Sequence, residues 1–135
     1  MNRILCVLII TAFFSTALAC RNIVKSYSSC KGVRTNKVTI EYVYSKKFKT
    51  LHIVHKGAML NCCLSNITAS YAIMNKKIII EEQEKLRELC KCVCPYDVKM
   101  KIDNLSAATY IIEIGRFSMK IDLINNPQGT KTFLR

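Results

Sequence analysis

Sulfur is the element in this chain best placed to do chemistry. Eight cysteines stand among 135 residues, and five of them fall in two tight groups, Cys62-Cys63 and Cys90-Lys91-Cys92-Val93-Cys94. Cys30 precedes both groups, and Cys6 and Cys20 lie near the start. Thiols grouped this way can bridge as disulfides, can bind a soft metal such as zinc or cuprous copper as thiolates, or can exchange with other disulfides. On a strand, residues i and i+2 lie about 6.5–7 Å apart, near the outer limit for a bridge. Cys90, Cys92 and Cys94 are therefore expected to pair across to another segment, for instance Cys90 or Cys92 with Cys62 or Cys63, leaving Cys30 for another. A metal site would draw on Cys62, Cys63, Cys90, Cys92 and Cys94. It lacks the Cys-x2-Cys knuckle spacing, and its nearest histidines, His52 and His55, fall on a neighbouring strand. Exchange chemistry lacks the Cys-x-x-Cys motif that lowers a thiol pKa.

The segment carrying three of these cysteines alternates. Cys90, Cys92, Cys94, Tyr96, Val98, Met100 and Ile102 are apolar or sulfur-bearing, while Lys91, Asp97, Lys99, Lys101 and Asp103 between them are charged. Period two over this length predicts a strand with one buried face and all three cysteines turned inward. Adjacent Cys62 and Cys63 would point to opposite faces, so one of them joins that row unless a bulge intervenes.

The compartment decides among the sulfur chemistries. Met1-Asn2-Arg3 is followed by a largely apolar run to Leu18, and Ala17-Leu18-Ala19 supplies small residues for cleavage. The run is too short for a membrane span, so residues 1–19 are expected to be a signal peptide. Cys20 then stands at the first mature position. Thr-Ala-Leu-Ala-Cys resembles the bacterial lipoprotein signal, in which such a cysteine receives diacylglycerol, although Ala17 stands where leucine is favoured. Cysteine parity agrees. With Cys6 removed and Cys20 lipidated, Cys30, Cys62, Cys63, Cys90, Cys92 and Cys94 form an even set, and an exported protein favours disulfides.

Removing nineteen residues from 135 leaves 116, enough for one domain and one core. The formal charge is +12, with nine Lys or Arg and only Glu41 as an acid between Arg21 and Lys56. A basic stretch of this kind suits anionic lipid head groups. Export, and the lack of a basic stripe interleaved with aromatics, argue against nucleic acid. There is no Gly-rich phosphate loop, no Gly-x-Ser-x-Gly elbow and no His-Glu-x-x-His. No catalytic residues and no cofactor are expected.

Residues 20–36, rich in serine and charge, are expected to be a tether. Val38, Ile40, Tyr42 and Tyr44 mark a first strand; Leu51 to His55 continue after a lysine cluster; Gly57 is expected to turn the chain before Met59 to Cys63. Asn66 to Met74 and Ile78 to Ile80 form a hairpin across Asn75-Lys76-Lys77. Glu81 to Leu89 is expected to be a loop or a helical turn. Thr109 to Ile114 and Phe117 to Leu123 are the last strands, and residues 125–135 a C-terminal tail. About seven short strands with regular turn signals predict an all-β fold, a single immunoglobulin-like or fibronectin-like β-sandwich over residues 37–124. In such domains a tyrosine after a turn hydrogen-bonds back to the backbone, the place that Tyr110 takes after Leu105.

Asn61-Cys62-Cys63, Ile78-x-Ile80-Glu81, Cys90-x-Cys92-x-Cys94-x-Tyr96-Asp97 and Leu105-x4-Tyr110 together resemble a group of small, uncharacterised exported Bacteroidota proteins. The resemblance covers about residues 51 to 115. It implies a cell-envelope lipoprotein with a β-sandwich domain and brings no activity or functional residues. Ala-Ala-Thr-Tyr stands where a glycine before the tyrosine is more usual, which leaves the geometry of that turn open. Paired cysteines, basicity and the sequons at Asn66 and Asn104 also resemble animal cystine-knot ligands, but the Cys-x-Gly-x-Cys ring is missing. The expectation is a non-enzymatic, membrane-anchored sandwich that binds an envelope polymer or a protein, or contributes to envelope structure. A secreted signalling ligand and a thiolate metal-binding envelope protein are the alternatives.

Overall fold

Wherever β-branched and aromatic residues alternate with polar ones, the chain is extended. The computed structural model describes residues 17–19, 21–32 and 35–135. Most of the expected signal peptide, and Cys20, lie outside the described residues. The strands are β1 (Ala17–Ala19), β2 (Val24–Tyr27), β3 (Lys37–Ser45), β4 (Thr50–Asn61), β5 (Leu64–Met74), β6 (Lys77–Leu86), β7 (Val93–Ile102), β8 (Thr109–Ile114), β9 (Phe117–Asp122) and β10 (Gln128–Leu134). Two five-stranded sheets result, ordered β1-β5-β6-β8-β9 and β10-β3-β4-β7-β2. Neighbours are antiparallel except β6 and β8, which run parallel over Lys77–Ile80 and Ile111–Ile114.

The inner faces share one core. Ile40, Ile53, Val98 and Met100 from one sheet, and Ile67, Ile78, Ile112 and Ile121 from the other, are almost wholly buried within it. This is the all-β sandwich that the alternation predicts. The expected strands correspond to β3 to β9, with the two runs on either side of Gly57 joined in β4, and β1, β2 and β10 add edges.

Three boundaries differ from expectation. The described part of the expected tether, residues 20–36, is not free: β2 pairs with β7, Ile23 is buried, and its backbone bonds to Ala69 and Lys101. Residues 125–135 are not a tail, because β10 pairs with β3 from Gln128 to Leu134. Both are edge strands with largely exposed side chains, so hydrophobic alternation is faint in them although each pairs with its neighbour, β2 across an irregularity between Val24 and Ser26. β6 also continues through Glu81–Leu86, where a loop or helical turn is expected, since partnership with β5 satisfies its backbone whatever its surface charge.

Gly57 bulges the chain where a turn is expected. β4 runs unbroken from Thr50 to Asn61, with its register to β7 shifting between Lys56 and Ala58. One extra residue exchanges the two faces. Leu51, Ile53 and His55 point inward before it, and Ala58 and Leu60 after it. Gly57 has φ +78°, and a Cβ there would lie 2.9 Å from the Lys37 carbonyl oxygen.

Candidate functional site

The bulge delivers Cys62 and Cys63 to one end of the sandwich. They form the two-residue turn between β4 and β5, half-buried, instead of occupying opposite faces of a strand. The row of three inward cysteines is also corrected. β7 starts at Val93, so Cys90 and Cys92 lie in the loop after β6. Only Cys94 is buried, Cys90 is half-buried and Cys92 is exposed.

All six of these cysteines are bridged: Cys30 to Cys94, Cys62 to Cys92 and Cys63 to Cys90. The cysteines of the Cys-x-Cys-x-Cys run pair with other segments and not with one another, although only Cys94 stands on a strand. Two bridges run side by side from the β4–β5 turn to the loop before β7, and the third fastens the segment after β2 to β7. The sulfurs of Cys62 and Cys94 approach to 3.1 Å, so the bridges form one cluster. Asn61 locks the turn further: its Nδ2 donates to the Cys90 carbonyl at 2.8 Å, and its Oδ1 accepts from the Cys63 amide at 2.9 Å.

A cleft of about 390 Å³ opens beside the bridges, lined by Tyr27, Ser28, Ser29, Leu64, Arg87 and Tyr96 among others. The Tyr96 hydroxyl donates to the Asn61 carbonyl at 3.2 Å. Burial, and after it the charges of Glu84 and Tyr27, pushes this phenol above its ordinary pKa, so it stays protonated. Hydroxyls, a guanidinium and two aromatic rings around a shallow opening suit polar ligands. Cys63, Glu88 and Cys90 have ligand atoms within 4.8 Å of one another. Both sulfurs are spent in a bridge, so neither is a thiolate ligand in this state, and metal binding there would require reduction.

The interior holds a pair that the sequence reading missed. His55 on β4 and Glu82 on β6 meet between the sheets, with His55 Nδ1 2.8 Å from a Glu82 carboxylate oxygen. Their side chains are 6% and 10% exposed, and His55 Nε2 is buried without a hydrogen-bond partner. The signal was parity: His55 follows Leu51 and Ile53, and Glu82 follows Ile78 and Ile80.

Tyrosines organise the opposite end. Tyr110 is buried, and its hydroxyl donates to the Ser106 carbonyl at 2.9 Å across the β7–β8 turn. Tyr44 and Tyr42 donate likewise to Leu105, at 2.6 Å, and Asn126, at 3.0 Å. No family model, curated protein or solved structure matches the chain. Three disulfides belong to an oxidising compartment, and no helix among the described residues is long and apolar enough to cross a membrane.

Proposed function

We propose that this chain is an exported, non-enzymatic β-sandwich, anchored to the cell envelope through Cys20, that acts by binding a partner or by building envelope structure. The observation that carries the reading is that the six cysteines from Cys30 to Cys94 are consumed in three bridges among themselves. None of the six needs Cys20, which stands directly after the small-residue triplet of the leader. The likeness to exported Bacteroidota lipoproteins supports the same address. The cleft beside the bridges is the candidate seat for a polar segment of an envelope polymer or protein.

Two measurements test this. Cells fed labelled palmitate should incorporate label into the wild-type chain and none into Cys20→Ser. Intact mass of the mature protein should show three bridges, through a gain of six hydrogens on reduction, together with the mass of acyl chains. A mature product that starts at Cys20 without acyl chains would remove the anchor. Free thiols among the six would remove the sulfur clasp.

A further inference from the structure

The end of the sandwich away from the disulfides is basic and bears exposed apolar side chains. The β3–β4 turn is Lys46-Lys47-Phe48-Lys49, and Phe48 is 68% exposed, with the Lys47 ammonium 5.2 Å from its ring centre. Lys46 donates to the Ile124 carbonyl at 2.8 Å, which ties this tip to the β9–β10 loop, where Ile124 is 52% exposed. The β5–β6 turn at the same end places Lys76 after an exposed Met74. Lys46, Lys47, Lys49 and Lys76 have no carboxylate at ion-pair distance among the described residues. The nearby acids are engaged elsewhere, Asp103 with Lys101 and Thr50, Asp122 with Asn125 and Ile124.

Exposed apolar side chains thus stand on separate loop tips among lysines that have no carboxylate partner, Lys76 lying 5.4 Å from the Tyr110 ring centre. They suit a soft anionic layer: lysine stems lie along apolar material while their ammoniums meet phosphate. The chain enters at this end as well. Ile23 bonds to Lys101, which pairs with His52 one residue from Leu51 at the start of β4.

We propose that this end seats on an anionic phospholipid surface, with Phe48 and Ile124 entering the boundary between head groups and acyl chains and Lys46, Lys47, Lys49 and Lys76 meeting the phosphates. The proposal names the partner surface of the membrane-anchored reading above, but does not require acylation of Cys20.

The test uses the exported chain with Cys20→Ser and with its leader shown by intact mass to be removed, so that no anchor contributes. The chain has no tryptophan, so Phe48→Trp supplies a single reporter at an exposed site. With vesicles of phosphatidylcholine holding about a third phosphatidylglycerol, its emission should move to shorter wavelength and be quenched by acyl-brominated lipid. Lys47→Gln with Lys49→Asn, the asparagine tolerating the positive φ at that position, should weaken binding roughly thirtyfold. Salt should weaken it too. Unchanged melting of each variant separates lost binding from lost folding. No shift with the anionic vesicles, equal binding to phosphatidylcholine alone, or indifference to the lysine changes would overturn the proposal. So would retention on immobilised polyglutamate without affinity for the vesicles, which would assign the end to an acidic protein. Failure here with palmitate still incorporated at Cys20 would leave the anchor standing.

Discussion

The bridges are close enough together for their contributions to depend on one another. Cys30 and Cys94 are 64 residues apart, and constraining that loop in the unfolded chain stabilises the fold by about 4 kcal/mol in the chain-entropy description. Cys62–Cys92 and Cys63–Cys90 span 30 and 27 residues, but one nests directly inside the other. Once either is closed, the second constrains only a few further residues and adds about 2 kcal/mol or less. Paired serine substitutions should therefore differ. Cys30→Ser with Cys94→Ser should cost about 4 kcal/mol, and Cys63→Ser with Cys90→Ser about half of that. Removing both nested bridges should cost about 5–6 kcal/mol, more than their separate losses added, because each masks the absence of the other. Urea unfolding followed by circular dichroism measures this. The difference between the first two variants corresponds to roughly 8 °C in melting temperature for a domain of this size. Equal losses for those two, or additive losses for the nested pair, would refute the reasoning.

Glu82→Leu should destabilise the fold by about 1–3 kcal/mol, because it leaves His55 buried with both ring nitrogens unpaired. Adding His55→Leu should recover part of that loss in a double-mutant cycle, and strictly additive losses would deny the pair its coupling. Tyr44→Phe removes a buried hydroxyl bonded to the Leu105 carbonyl at 2.6 Å and should cost about 1 kcal/mol in thermal unfolding, leaving the disulfides intact. The hydrogen bond from Lys101 holds the Asp103 carboxyl below its ordinary range. Its contribution is thus present above the unfolded-state pKa and lost as pH falls through the lower folded value. An NMR titration should show that low midpoint, and Lys101→Met should raise it.

The fold was legible where one face is buried. Val38 to Tyr44, Asn66 to Met74 and Thr109 to Ile114 alternate apart from Val43, Ala72, Met74 and Ile111, and the structure places strands over them. The β5–β6 turn was legible too, since Asn75 and Lys76 both adopt positive φ, as a tight hairpin requires. The edges were not. β2 and β10 hold their places chiefly through backbone pairing, which side-chain pattern does not report. Gly57 has two structural uses, turn and bulge, and only the long-range register against β7 chooses between them. The disulfide cluster was half legible. Parity predicted that six cysteines would pair, but alternation carried Cys90 and Cys92 into a strand that begins after them. Residues at a strand's mouth keep its period without its hydrogen bonds.

The two ends of the sandwich are fastened by different chemistry, and the sequence at each end explains why. The loop between β6 and β7 offers little to bury: Arg87, Glu88, Leu89 and Lys91 are exposed, Leu89 to 84%. Apolar contact cannot hold such a loop against its conformational entropy, and covalent closure lowers that entropy in the unfolded chain instead. At the opposite end Tyr42, Tyr44 and Tyr110 reach out from buried positions to the carbonyls of Asn126, Leu105 and Ser106, so that core residues themselves supply the fastening. Phenolic hydroxyls bond equally well in oxidising and reducing surroundings, while bridges survive only in the former. On reduction the Cys62–Cys63 end should therefore exchange before the lysine-bearing end, an order that hydrogen exchange along β4 would resolve from Thr50 to Asn61.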